Sequence, residues 1–371
     1  MAIYGFSDVT LDSDRRELTR SGRGVPIEPQ VFDLLTYFAQ SGGRVVSKEE
    51  ILNAVWGGRI VSDEALTSRI KAARRAIGDD GKSQRLIRTV HRVGYQFLGG
   101  EPTRLVPEVR FTHDRRGHKI AYSVVGTGPT VLCPAWWVSN IVKDLENPDV
   151  ARFFDLLGAG LTLVCYDRLG VGLSERGVLS SGLDDEVDVL ERVANAVGAA
   201  RYGLFGMSIG GPVAIRYARR LADRVSRLCL YGTFARGAEI CPPQVQNAMV
   251  QTVRAHWGLG SRVLAQIFLP NATADALAAA ARQQRESASA DVAADLLRLA
   301  YDIDVSQELA EIRTETLILH RKQERCIPTQ AAIRLASEIP GARLLMLEGS
   351  SHLPWDGGDA VASQVNAFFR R

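Results

Sequence analysis

No run of about 18 apolar residues occurs in this 371-residue chain, so nothing in it reads as a membrane-spanning helix. The opening Met1-Ala2-Ile3-Tyr4-Gly5-Phe6 lacks the basic-then-apolar order of a signal peptide, and a cytoplasmic location with no membrane partner is expected. Cysteine is scarce. Cys133, Cys165, Cys229, Cys241 and Cys326 are odd in number and lack metal-ligand spacing, and the first three fall in predicted strands, where cysteine behaves as a small hydrophobe. Neither disulfides nor a metal or cofactor is therefore expected. An excess of charge of one sign is nearly absent overall, with 45 Lys and Arg against 42 Asp and Glu. What is present is 46% hydrophobic residues, enough for two globular domains at about 150 residues each.

The small net charge of +3 is unevenly placed. The first 100 residues hold 15 Lys and Arg against 12 Asp and Glu, which accounts for all of it. Between residues 65 and 100, Arg69, Lys71, Arg74, Arg75, Lys82, Arg85, Arg88 and Arg92 face only Asp79 and Asp80. Such a patch suits a phosphate backbone, and it also suits a solvated helix face.

Apolar and polar residues alternate from Tyr4 to Leu18 and again over Val25-Pro26-Ile27, with a Ser21-Gly22-Arg23-Gly24 turn between, which predicts a small antiparallel sheet. Val31, Leu34, Leu35 and Phe38 recur at helical spacing over 28–40 before Ser41-Gly42-Gly43. Ser47 and Glu50 form a capping-box pattern for a second helix to Val55-Trp56, and Gly57 to Val61 leads to a third, starting near Ser62 or Asp63 and ending at Ile77. Residues 85–97 read as a β-hairpin turning at His91-Arg92-Val93-Gly94. On the third helix Leu66, Ile70, Ala73 and Ile77 make the apolar stripe, while Thr67, Lys71 and Arg74 share the opposite face with Arg69 beside them. Arg and Lys can pair with guanine edges or phosphates, and Thr can touch a thymine methyl. The candidate DNA contacts are thus Thr67, Arg69, Lys71 and Arg74, with Thr89, His91 and Arg92 on the hairpin.

Strands, three helices and a terminal hairpin make a winged helix-turn-helix. Residues 1–98 closely resemble the OmpR/PhoB-type winged-helix DNA-binding domain, through Glu28-Pro29-Gln30-Val31-Phe32-Asp33-Leu34-Leu35, Val45-Val46-Ser47-Lys48-Glu49-Glu50-Ile51-Leu52, Val55-Trp56 and Ile87-Arg88-Thr89-Val90-His91-Arg92-Val93-Gly94-Tyr95. The resemblance implies that the third helix enters the major groove of double-stranded DNA and that the wing reaches the neighbouring minor groove.

Residues 99–107, Gly99 to Pro107, break every periodicity and read as a linker. From 108 to 371 a hairpin precedes short apolar runs alternating with helical patterns, the signature of a doubly wound α/β fold. Within it, Gly206-Met207-Ser208-Ile209-Gly210 lies between a predicted strand and a helix, the context of a nucleophile elbow. That elbow, Asp167-Arg168-Leu169-Gly170-Val171-Gly172-Leu173-Ser174 and Gly349-Ser350-Ser351-His352 resemble the α/β-hydrolase superfamily, and the segment of about 232–313 sits where that fold carries a helical lid.

A serine nucleophile needs a base and an acid that orients it, and this superfamily supplies them in the order Ser, Asp/Glu, His. Ser208, Glu324 and His352 satisfy that order, with Glu324 in His320-Arg321-Lys322-Gln323-Glu324, although a surface carboxylate paired with Arg325 or Lys322 would read the same way. Ile209 N–H is one candidate oxyanion donor. In the segment Pro134-Ala135-Trp136-Trp137, proline has no N–H, leaving that of Trp136. Trp136, Trp137 and Met207 are the candidate ligand-pocket residues, with core packing as the alternative for the tryptophans.

The expected function is a DNA-binding transcriptional regulator whose hydrolase-like domain binds, and slowly hydrolyses, a small-molecule effector. The alternative is an active serine esterase or lactonase with an appended regulatory DNA-binding domain. A homodimer is expected by resemblance alone, and RNA polymerase is a further candidate partner.

Overall fold

The computed structural model describes residues 3–6, 8–12, 16–20, 23–41, 43–57, 61–99 and 107–371. The chain divides into two units, Met1–Arg104 and Leu105–Arg371. Most of the expected linker, residues 100–106, lies outside the described residues, as do Ser21, Gly22, Gly42 and residues 58–60 of the expected turns.

In the first unit β1 (Ile3–Phe6), β2 (Val9–Asp12), β3 (Glu17–Arg20) and β4 (Arg23–Gly24) form an antiparallel sheet in sequence order. The last strand is shorter and earlier than the expected Val25-Pro26-Ile27. Val25 N–H still donates to Leu18 O at 2.7 Å, but Pro26 has no N–H to continue the ladder. Helix α1 (Pro29–Gln40) buries Val31, Leu34, Leu35 and Phe38, and α2 (Lys48–Trp56) starts on the anticipated capping box, Ser47 with Glu50. Helix α3 (Asp63–Ala76) buries Leu66, Ile70 and Ala73.

The hairpin of β6 (Ile87–Val90) and β7 (Gly94–Phe97) is joined on the β7 side by β5 (Val45–Ser47), a strand of three residues too short to announce itself by alternation. Asp79 holds the approach to the hairpin. Its carboxylate accepts the backbone N–H groups of Asp80, Arg85, Leu86 and Ile87 at 2.9–3.0 Å. Burial opposes its charge, but those four bonds outweigh it and lower its pKa below the ordinary aspartate value.

The second unit is built on an eight-stranded sheet of β8 (Glu108–His113), β9 (Lys119–Gly126), β10 (Thr130–Cys133), β11 (Thr162–Tyr166), β12 (Tyr202–Met207), β13 (Val225–Tyr231), β14 (Thr316–Arg321) and β15 (Arg343–Leu347). Its order is β15-β14-β13-β12-β10-β11-β9-β8; the β9–β11 and β8–β9 pairs are antiparallel and the rest parallel. The sheet is therefore mixed and mostly parallel.

Helices α4 (Pro148–Gly158), α5 (Leu183–Val197), α6 (Gly210–Arg220), α11 (Thr329–Glu338) and α12 (Asp359–Phe369) sandwich it. Side chains of α5, α6 and α11 pack on one face, and those of α4 and α12 on the other. Between β13 and β14 lie α7 (Pro243–Ala255), α8 (Trp257–Phe268), α9 (Ala274–Ser287) and α10 (Ala290–Asp302), four helices with an apolar cluster of their own around Val250, Leu264, Val292 and Leu296. Because β10 has β11 on one side and β12 on the other, the order in which successive strands are added reverses there, the topological switch where open α/β sheets place their sites.

Asp79→Ala would strand four backbone donors, each worth about 1–3 kcal/mol when left unsatisfied. The expected outcome is faster hydrogen exchange at the Arg85, Leu86 and Ile87 amides, on the order of 10²-fold for local opening made easier by about 3 kcal/mol. In the wild type this contribution is complete above the unfolded-state carboxyl pKa. It is lost as pH falls through the lowered native value, so protection should decline on the acid side.

Candidate active site and nucleic-acid surface

Strand β12 delivers Ser208 on a tight turn into α6. The serine has φ of +50°, a left-handed conformation that costs a non-glycine residue about 1 kcal/mol or more. Its surroundings fix that conformation: Ser208 N–H donates to Tyr231 O at 3.1 Å, while Ser208 O accepts from Gly211 N–H at 2.9 Å and Thr233 Oγ1 at 2.5 Å. A Cβ on Gly211 would lie 2.0 Å from Thr233 Oγ1, so glycine is required for that closeness.

The loops after β14 and β15 bring Glu324 and His352 to the same place. His352 Nδ1 lies 2.6 Å from Glu324 Oε1, and His352 Nε2 lies 2.9 Å from Ser208 Oγ. With Nδ1–H donating to the carboxylate, Nε2 is left as an acceptor for the serine proton, and the three side chains form a continuous relay. Glu324 Oε1 also accepts Ile327 N–H at 3.1 Å, and both Glu324 and His352 are buried. This is no surface carboxylate paired with Arg325 or Lys322; Lys322 pairs with Glu348 instead. His352 N–H donates to Phe268 O at 2.8 Å, tying the loop to the end of lid helix α8.

Two neighbours of the relay escaped sequence reasoning. His320, fully buried on β14, stands 3.7 Å from Glu324 Oε2, and burial lowers its pKa, which keeps the ring neutral. Its position four residues before Glu324 was the available signal. Cys326 lies beside His352, and Glu324, Cys326 and His352 offer ligand atoms within 4.8 Å of one another. A cation held by these atoms would compete with the 2.6 Å bond between Glu324 and His352. Burial works against a charged His352, but Cys326 and Glu324 outweigh it and hold its pKa well above the ordinary histidine value.

The expected pocket residues separate. Trp136 and Met207 are both buried and pack in the apolar cluster on one face of the sheet. Met207 is 1% exposed, and the Trp136 ring packs 5.9 Å from Phe154, in the core, and 5.7 Å from the half-buried Trp355. Side chains alternate along β12, so Phe205 and Met207 share the face away from Leu204. Trp137 points towards the lid and donates from Nε1 to Gln284 Oε1 at 3.1 Å on α9. The Trp136 and Ile209 N–H groups lie on the two loops that follow β10 and β12.

On the winged helix, Thr67, Lys71, His91 and Arg92 are exposed, and the wing turn also exposes Val93, at 53%. Arg74 and Thr89 are engaged internally. Arg74 Nη2 donates to Ile87 O at 2.7 Å and to Thr89 Oγ1 at 3.0 Å, bracing the wing against α3. Arg69 turns towards α1 and pairs with Glu28. Helical spacing placed these cations but not their partners. Arg75 and Arg88, not among the expected contacts, are also exposed cations of this unit.

Residues 126–364 match the alpha/beta hydrolase family, and residues 22–97 match the family described as transcriptional regulatory protein, C terminal. The chain belongs to the alpha/beta hydrolase family and carries a DNA-binding regulatory domain at its start. It is 26% identical over 217 residues to the transcriptional activator CadC of Escherichia coli K12, covering 53% of this chain and 41% of CadC. It is 38% identical over 94 residues to the transcriptional regulator HilA of Salmonella typhi, covering 25% of this chain and 17% of HilA. The chain thus spans less than half the length of these regulators.

The 2-hydroxy-6-oxononadienedioate/2-hydroxy-6-oxononatrienedioate hydrolase of E. coli K12 is 24% identical over 291 residues, 74% of this chain and 96% of that enzyme. Among solved structures, an esterase from Exiguobacterium antarcticum superposes with a TM-score of 0.64 at 19% identity, covering 71% of this chain and all of the esterase. An enol-lactonase from Burkholderia xenovorans LB400 gives 0.60 at 22% identity with the same coverages. At these identities the two structures establish the fold.

With Nε2 of His352 2.9 Å from Ser208 Oγ, the ring could take the serine proton only when neutral. Labelling of Ser208 by a fluorophosphonate should therefore be slow at low pH and rise with pH through a midpoint above the ordinary histidine value. In Glu324→Gln the midpoint should move down, measured by intact mass against time; a midpoint unmoved by that change would refute Glu324 as a cause of the shift.

Proposed function

We propose that this protein is a DNA-binding transcriptional regulator whose α/β-hydrolase domain binds a small acyl compound and cleaves it slowly at Ser208. The observation that carries the reading is the presence in one chain of a regulatory winged helix and an assembled Ser208–His352–Glu324 relay. In this reading Ser208 Oγ attacks the acyl carbon, His352 Nε2 takes its proton, and Glu324 stabilises the imidazolium. The N–H groups of Ile209 and Trp136 receive the oxyanion. Cleavage consumes the effector and ends its signal. The esterase and lactonase folds nearby support an ester or lactone as the compound class.

The double-stranded DNA contacts are Thr67 and Lys71 on α3 with His91 and Arg92 on the wing, while Arg74 and Thr89 shape the wing. Regulation through a homodimer and contact with RNA polymerase belong to the same proposal, by analogy with the regulators that the first domain resembles. An enzyme with an appended regulatory domain is the second reading, favoured by the completeness of the relay.

Binding of the full chain to its own upstream DNA should fall with salt, and Lys71→Ala should weaken it on all sequences while reducing the salt slope by about one. Ser208→Ala should abolish fluorophosphonate labelling and leave DNA binding intact. Labelling without any preference for upstream over random DNA at about 0.15 M salt would favour the enzyme reading. Sequence-specific binding without labelling would favour a receptor that performs no chemistry.

A further inference from the structure

The loop after β10 leaves the sheet as Pro134-Ala135-Trp136-Trp137 and passes between two fixed features. On one side lies the first turn of α6. A Cβ on Gly210 would stand 2.7 Å from Pro134 O and 3.2 Å from Ala135 O, so the loop backbone lies directly against the residue following Ile209. On the other side lies Arg168, which follows β11 and is 1% exposed. Its Nη2 donates to Ala135 O at 2.5 Å and to Trp136 O at 3.2 Å. Its Nη1 stands 3.4 Å from Glu186 Oε2 on α5, a carboxylate equally buried.

A buried guanidinium without a counter-ion is strongly unfavourable, so Glu186 is what permits a cation there. Nε and Nη1 have no hydrogen-bond partner among the described residues, leaving the carbonyl contacts as the guanidinium's hydrogen bonds.

These contacts have a directional consequence. In a trans peptide the C=O and the following N–H point in opposite directions, and no described peptide is cis. With Ala135 O and Trp136 O drawn to Arg168, the N–H groups of Trp136 and Trp137 are turned away from it. Among the described residues, no backbone carbonyl accepts from either N–H.

We infer that Arg168, charge-balanced by Glu186, is the positioning residue for the second oxyanion donor: it grips two carbonyls of a proline-started loop and thereby aims the N–H on the far side of the gripped peptide. The inference rests on the hydrolytic reading of Ser208. It also explains how a loop that begins with a residue lacking an N–H can still present a fixed donor. A lysine could hold one carbonyl as a point charge but lacks the planar fork.

The test uses the full chain as wild type, Arg168→Met, Arg168→Lys and Glu186→Gln, with melting temperature and DNA binding followed in parallel. Each is assayed on p-nitrophenyl acetate and titrated with a trifluoromethyl ketone. In that adduct Ser208 Oγ bonds to the ketone carbon, the serine proton passes to His352 Nε2, and the former carbonyl oxygen becomes an anion that needs the donors.

A folded Arg168→Met should lose about 10²-fold in kcat, the size of one oxyanion donor, with KM within twofold and adduct affinity reduced in parallel. Arg168→Lys should recover part of both losses, and Glu186→Gln should fall between Lys and wild type. If Arg168→Met does not fold, the Lys and Gln variants carry the decision by the same kcat-against-KM split. Unchanged kcat in the folded variants, or equal losses in kcat and substrate binding, overturns the positioning role while leaving the hydrolytic reading standing. A wild type that neither turns over nor forms the adduct overturns the hydrolytic reading and the donor role together.

Discussion

The hydrogen bond between His352 and Glu324 is the contact on which the arrangement of the second unit turns. It joins loops that leave β14 and β15, and it fixes which imidazole nitrogen faces the serine that leaves β12. Those loops end together because the four adjacent strands β12, β13, β14 and β15 run parallel. The length of glutamate is accommodated because Ile327 N–H holds the same oxygen that meets the histidine. The carboxylate is thus oriented from two directions before any ligand arrives.

Much of this was legible in the sequence because it depends on local chemistry. The Ser47 and Glu50 capping box, the glycines around Ser208 and the alternation of short apolar runs with helical patterns are decided within a few residues, and the structure has them at the expected places. The order Ser208, Glu324, His352 followed from the superfamily resemblance. What escaped depended on where a loop travels after it leaves an element. Met207 and Trp136 carry the chemistry of a pocket wall, yet the strand parity of one and the loop path of the other take them into the core. Arg74 satisfies every helical criterion for a groove contact, and only the hairpin folded against α3 reveals that it braces Ile87 and Thr89.

The same limit applies to charge. A net count identifies a basic patch but not which cations already have partners. Arg69 and Arg74 contributed to the local excess that first suggested a nucleic-acid surface, and both are engaged within the winged helix. The exposed remainder still includes Lys71, Arg75, Arg88 and Arg92, so the patch survives with fewer members. Asp79, which sequence reasoning counted only as an offsetting charge, organises the backbone between α3 and the wing.

Helix α8 ends at Phe268, whose carbonyl accepts from the His352 backbone and from Ser351 Oγ. The Phe268 ring also lies 5.4 Å from the imidazole. The lid is therefore stitched to the loop that carries the histidine. A lid that opened by lifting this end of α8 would have to break those bonds or carry His352 with it, dismantling the relay as it did so. Access that leaves the relay intact has to come from elsewhere along the lid. Movement at this end of α8 and the geometry of the relay are thus mechanically coupled.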